Sequence, residues 1–313
     1  MKVFFGVDVG GTEIKIGAFS PEGDLQEKWS RKTDLSDNGN RVIPDVAANV
    51  CEYVEKHQMS MEDVAGIGIG IPGPVDRHGN VKVCVNLHWT NFNPVTELKK
   101  FFPDLPIAAG NDANVAALGE YYKGSGKGSA SMMMVTLGTG VGGGIIIDGN
   151  IIHGANAIGG EIGHIAVNRE PLTRCNCGNL GCVDECASAT GIVRYAKHYL
   201  ETETTPSGLR DLDVITAKDV CDQAKAGDVV AMKTMKKCMG VLAEGMALFS
   251  HAFDPEVYVL GGGVSHAGQW LIDLVAEEYH PHFHLIPKGA DIRLAQLGND
   301  AGIIGACMLV AAK

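Results

Sequence analysis

The chain has 313 residues, long for a single compact core and comfortable for two domains. Its 45% hydrophobic and 20% charged residues are the mix of a soluble globular protein, and no apolar run approaches the length that crosses a bilayer. A formal net charge of −11, with no basic stripe visible, argues against nucleic acid as a partner.

In chain order, Met1 to Phe5 looks like the start of a signal peptide only until Asp8 interrupts it, and no cleavage site follows, so a cytoplasmic protein is expected. Phe4 to Gly17 then runs from an aromatic, β-branched segment through Gly10-Gly11-Thr12 into a second apolar segment, the pattern of two strands joined by a tight turn. Ile43, Val46, Ala47, Val50 and Val54 carry helical spacing, and Val64 to Ile71 reads as a buried strand ending at Pro72-Gly73-Pro74. A short strand at Pro106 to Ala109 leads through Asn111-Asp112 into a helix reaching Tyr121, and Lys123 to Ser129 has the composition of a domain boundary. Val135 to Ile147 repeats the strand-turn-strand around Gly138-Thr139-Gly140, entered by the buried run Met132-Met133-Met134. An insertion from Gly149 to about Ala189 follows, then helices near 189–200, 216–225 and 228–253. Val257 to Leu260 is a buried strand ending on Gly261-Gly262-Gly263, and Asp300 to Ala312 is an apolar helix able to return to the first domain.

Either glycine turn alone is an ordinary hairpin, but the repetition suggests a duplicated architecture in which two turns clamp a polyphosphate. Glycine permits positive φ and lets backbone N–H groups approach a ligand with no side chain between. The Walker pattern is absent, because Tyr121 stands where its first glycine should be relative to Gly126-Lys127. Gly138-x-Gly140-x-x-Gly143 matches the dinucleotide fingerprint, yet it leads into Ile145-Ile146-Ile147 and an Asp148-Gly149 turn, where that fingerprint needs a helix. ATP is compatible with the acidic chain if backbone N–H groups and a divalent cation neutralise it locally.

Of nine cysteines, Cys175, Cys177 and Cys182 fall within eight residues, poor spacing for a disulfide framework and good spacing for a metal. With His164 upstream they offer three thiolates and one imidazole, the closed tetrahedral shell of a structural zinc site; a redox Cys-x-Cys pair is the rival. Cys51, Cys84, Cys186, Cys221, Cys238 and Cys307 are expected to be core thiols. Asp112, taken alone, reads as a helix N-cap, and Glu161 with His164 as a pair sharing a helical face or a tight loop.

Taken together, Asp8-x-Gly10-Gly11-Thr12-x-x-Lys15, Gly70-Ile71-Pro72-Gly73-Pro74-Val75-Asp76, Asn86-Leu87-x-Trp89, Asn111-Asp112-Ala113-Asn114, Leu137-Gly138-Thr139-Gly140, Gly160-Glu161-Ile162-Gly163-His164, the cysteine cluster and Leu260-Gly261-Gly262-Gly263-Val264 resemble the ROK family of sugar kinases and repressors. Within it the likeness is to bacterial ATP-dependent glucokinases. The resemblance implies an α/β protein of the actin-like ATPase (ribonuclease H-like) fold, with two related domains around a cleft: 1–122 joined by a C-terminal helix at about 298–313, and 123–297 with the zinc insertion. It implies Asp112 as catalytic base, and Gly73, Asn111, Asp112, Glu161, His164 and Asp184 at the sugar. Gly10, Gly11, Thr12, Lys15, Gly138, Thr139 and Gly140 would hold the ATP phosphates, Asp8 would orient Mg²⁺, and Gly262 and Gly263 would lie against adenosine. His164, Cys175, Cys177 and Cys182 would bind structural Zn²⁺, with the histidine also serving the sugar.

One position departs from the family. Asp184 stands where glutamate is usual, so it would reach the sugar through water, or Glu185 would take over after a local shift. The expected reaction is phosphorylation of glucose to glucose 6-phosphate; mannose, fructose, allose or N-acetylmannosamine as acceptor is the alternative. A sugar-sensing repressor is disfavoured because seven residues precede Asp8, too few for a helix-turn-helix. A homodimer or higher homo-oligomer is expected, with neither nucleic acid nor membrane as partner.

Overall fold

A computed structural model describes residues 2–284 and 289–312. Met1 and Lys313, the outer limits of the expected domains, lie outside the described residues. The chain opens with β1 (Val3–Val9) and β2 (Glu13–Phe19), an antiparallel hairpin in which Asp8 faces Lys15. β3 (Leu25–Lys32) extends it, then come α1 (Val42–Lys56), β4 (Val64–Ile71), a small hairpin of β5 (Val81–Cys84) and β6 (Trp89–Phe92), α2 (Pro94–Lys99), β7 (Ile107–Asn111) and α3 (Asp112–Lys123). The first sheet has the order β3-β2-β1-β4-β7, with β4 parallel to both β1 and β7.

Alternating Val3, Phe5, Val7 and Val9 on β1, with Ile67, Ile69 and Ile71 on β4, bury one face against Val42, Ile43, Val46 and Val50 of α1. The helical spacing that identifies α1 also puts Cys51 on its outer side. Cys51 is therefore exposed, contrary to the expectation of a core thiol, whereas Cys84, Cys186, Cys221, Cys238 and Cys307 are buried. β3 carries no apolar run; it is a charged edge strand whose Trp29 stacks on Tyr53 at 5.3 Å between centroids.

The second half contributes β8 (Ser131–Leu137), β9 (Val141–Ile147), β10 (Asn150–Ile151), α4 (Asp184–Ala187), α5 (Ala189–Thr202), α6 (Ala217–Lys225), α7 (Val229–Phe253), β11 (Val257–Gly261), α8 (Gln269–Tyr279) and β12 (Asp291–Leu294). Its sheet has the order β10-β9-β8-β11-β12, again with parallel pairing of β8, β11 and β12. Met132, Met133 and Met134 are buried, as a strand entering the second turn requires. Helix starts follow their caps: Ser188 for α5, Thr216 with Asp219 in a capping box for α6, and Asp228 for α7.

Two compact units result, one of Met1–Gly128, Gly144–Gly159 and Leu297–Lys313, the other of Ser129–Gly143 and Gly160–Gln296. The last helix, α9 (Ala301–Ala311), belongs to the first unit and packs on β1, β4 and α3. Its approach needs bare backbone: a Cβ on Gly68 would lie 1.7 Å from Ala306 O. Among the described residues no helix is long and apolar enough to cross a membrane.

Candidate functional site

In the first unit, β7 delivers Asn111 and Asp112 to the start of α3. The capping duty falls on Asn111, whose Oδ1 accepts from Asn114 N (3.1 Å), and Asp112 stands at the first helical position with Oδ1 accepting the Ala113 N–H (2.8 Å). The Asn111 amide donates to Gly73 O (3.0 Å) and to Asp112 Oδ1 (2.9 Å), tying the Pro72-Gly73-Pro74 loop to the carboxylate. Gly73 has φ of 92°, the left-handed region where glycine is unstrained. Burial raises the Asp112 pKa; hydrogen bonds from Ala113 N–H and the Asn111 amide oppose this, and the Asp8 charge adds to it. Burial likewise raises Asp8, with Lys15 pulling it down and Glu13 pushing it up.

The Gly10–Thr12 turn is closed by Gly10 N donating to Glu13 O (2.9 Å) and held from the edge of the sheet by Thr33, whose hydroxyl donates to Gly10 O (2.7 Å) and whose N–H donates to Thr12 O (3.0 Å). Asn86 lies over the same turn, 3.4 Å from where a Gly11 Cβ would sit. Trp89 of the same motif is a buried brace, its indole donating to Gly39 O (3.1 Å).

In the second unit, Gly138 N donates to Gly140 O (2.9 Å) across the other turn. Among the described residues none of Gly10, Gly11, Gly138 and Gly140 has positive φ. Positive φ is therefore not what these four positions use; at two of them a side chain would crowd a neighbour, a Cβ on Gly140 standing 2.8 Å from Asp184 Oδ1 and one on Gly10 2.9 Å from Glu13 O. Gly262 does have φ of 82°, and its Cβ would press Leu137 O at 2.6 Å. Beyond it a cavity of about 400 Å³ is lined by Ala189, Thr216, Lys218, Cys221, Gly263 and His266. Apart from Gly263, these residues carry no motif that marks them in the sequence; the Thr216 capping box was the one available signal.

Glu161 begins a single 3-10 turn ending at His164, and both side chains are exposed. His164, Cys175, Cys177 and Cys182 bring their ligand atoms within 4.8 Å of one another, and all three cysteines are free thiols. Burial, then the neighbouring thiols, pushes Cys182 up to about 12, while the Asn179 N–H pulls Cys177 down. This donor set and its spread fit one tetrahedral ion. Glu185 is held by Arg194 (2.7 Å) and the Thr173 hydroxyl (2.5 Å), with a carboxylate oxygen within 4.8 Å of Cys175 Sγ and of an Asp184 oxygen. Asp184 accepts the Val141 N–H at 2.5 Å.

The chain is similar to known proteins over nearly its whole length. A glucokinase of Halalkalibacterium halodurans is 40% identical over 312 residues, covering 98% of this chain and 94% of that protein. The crystal structure of a ROK family glucokinase from Streptomyces griseus, in complex with glucose and AMPPNP, superposes with a TM-score of 0.76 at 32% identity, covering 99% of this chain and 100% of that one. A ROK hexokinase from Thermus thermophilus gives 0.83 at 28% identity, with 99% and 98% covered. The fold is the actin-like ATPase fold of these proteins. With the ROK family profile matching residues 4–313, this chain belongs to the ROK family.

Proposed function

We propose that the protein is an ATP-dependent hexose kinase that converts glucose to glucose 6-phosphate. The observation that carries this reading is the Asn111 amide bridging Gly73 O and Asp112 Oδ1, which sets a carboxylate of raised pKa beside a backbone loop. Asp112 takes the proton from the sugar hydroxyl as its oxygen forms a bond to the γ-phosphorus, and the bond to the bridging oxygen breaks to release ADP. Gly73 and Asn111 orient the sugar, as do Glu161 and His164, whose carboxylate and imidazole suit a polyhydroxylated ligand. Gly10, Gly11, Thr12, Lys15, Gly138, Thr139 and Gly140 hold phosphates, and the 400 Å³ cavity beside Gly263 receives adenosine.

Asp8 is the residue to orient Mg²⁺, through water, and His164, Cys175, Cys177 and Cys182 are those to hold a structural Zn²⁺ that supplies rigidity rather than chemistry. The likeness to glucokinases and the lack of any membrane-crossing helix among the described residues support a cytoplasmic place for the reaction, and a homo-oligomer is part of the same reading. A second acceptor, such as mannose or an N-acetylhexosamine, is favoured by one observation: Asp184 is committed to Val141 N–H, so a contact to the sugar from this position is weakened. Phosphorus NMR of the protein with ATP, Mg²⁺ and glucose tests the first reading. Equal ADP and glucose 6-phosphate are expected; ADP formation independent of sugar would remove it.

A further inference from the structure

The Gly138–Gly140 turn is held by one short stretch of chain. Asp184 Oδ1 accepts Val141 N–H (2.5 Å), Ala189 N donates to Gly138 O (2.8 Å), and the Thr190 hydroxyl donates to Thr139 O (3.0 Å). That stretch begins two residues after buried Cys182, and an Asp184 carboxylate oxygen lies within 4.8 Å of Cys175 Sγ. The space is tailored to aspartate. Gly140 has no Cβ where one would stand 2.8 Å from Oδ1, so a carboxylate carried one methylene further out would meet the turn or leave it.

Resting on the kinase reading above, we propose that Asp184 is a positioning residue for the nucleotide: it fastens the phosphate turn to the segment carrying the cysteine cluster, and its effect on the sugar is secondary. A charged acceptor on a backbone N–H is among the stronger neutral-to-ionic hydrogen bonds, and here it fixes the end of a loop that must present N–H groups to phosphate. Cluster integrity and nucleotide affinity are thereby linked within one unit.

The test uses the full-length protein with Asp184→Ala, Asp184→Asn and Asp184→Glu. Calorimetry reads the affinity for a non-hydrolysable ATP analogue with Mg²⁺ in the absence of sugar, and separately the affinity for glucose alone. Hydrogen exchange reads the Val141 amide with no ligand present. Asp184→Ala is expected to weaken nucleotide binding about tenfold, glucose binding by less than about threefold, and to speed Val141 exchange. Asp184→Asn retains an Oδ1 acceptor and should stay within about threefold of the parent on both ligands, while Asp184→Glu should weaken the nucleotide without improving glucose. If Asp184→Ala does not fold, Gly140→Ala displaces the same carboxylate and should reproduce the faster Val141 exchange, read with no ligand present because Gly140 itself belongs to the phosphate turn. A larger loss for glucose than for nucleotide, or unchanged Val141 exchange, overturns the proposal. The exchange readout needs neither substrate, so absence of glucose phosphorylation by the parent protein counts against the kinase reading alone.

Discussion

The two glycine turns share a sequence pattern and differ in what holds them. Gly10–Thr12 is fastened by Thr33, a neutral residue just past an exposed edge strand, with neutral hydrogen bonds. Gly138–Gly140 is fastened by a carboxylate and by two residues at the start of α5, all close in sequence to Cys182 of the cysteine cluster. The difference teaches that a turn built to present N–H groups to phosphate does not determine its own rigidity. That comes from a partner segment, and the second turn's partner begins two residues past Cys182 of the cysteine cluster.

The largest expected effect lies outside both turns. Asp112→Asn keeps the shape of the side chain and its place at the first helical position but cannot take a proton, so kcat should fall by ~10²–10⁴. Glucose affinity should change by less than about threefold in the same variant. Near-normal turnover would show that neither turn serves a reaction based on Asp112.

Next is the metal. The purified protein should carry stoichiometric zinc by elemental analysis. Its removal by chelation should weaken nucleotide binding about tenfold and speed exchange at Val141 and Ala189, with Gly10 and Thr33 unaffected. Equal acceleration at both turns would erase the distinction between them. Thr33→Val probes the other side: losing one neutral hydrogen bond to Gly10 O costs about 0.5–1.5 kcal/mol, a roughly two- to tenfold rise in the KM for ATP that chelation leaves unchanged.

Smallest is a stability effect of Asp112 itself. Its folded pKa is raised, chiefly by burial, so the folded state binds the proton more tightly than the unfolded chain does. Ionisation therefore costs stability, a cost that sets in as pH rises through the unfolded value and is complete above the folded one. Asp112→Asn should raise Tm at about pH 7 and lose that gain at about pH 3, as thermal scans would show. The same shift moves the acid limb of kcat/KM upward from where an ordinary aspartate would put it, because the base must be ionised.

Much of this was legible in the sequence where a period or a cap carries the signal. α1 shows apolar spacing from Ile43 to Val54, and α5 to α7 begin at Ser188, Thr216 and Asp228. β3 was not, because a charged edge strand with one face against α1 shows Trp29 and little else, and β5, β6 and β12 are only four residues each. The glycine turns were legible as turns, but the sequence did not show that Gly10 and Gly140 lack positive φ and instead make room for Glu13 O and the Asp184 carboxylate. Nor were Thr33 and the cavity residues Thr216, Lys218 and His266 legible as parts of a site, since each reaches it only through the fold. Gly302 is a similar case: its missing Cβ leaves room for Asp8, whose Oδ2 would be 2.6 Å away, a contact spanning nearly the whole chain.

Sugar-dependent ADP release, measured over glucose, mannose, fructose, allose, N-acetylglucosamine and N-acetylmannosamine, tests the kinase assignment most directly. A kcat/KM for glucose at least about tenfold above every other sugar, equivalent to ~1.4 kcal/mol of transition-state discrimination, is the expected result. A higher value on an N-acetylhexosamine would contradict the glucose assignment, and no sugar-dependent release from any of the six would contradict the kinase itself.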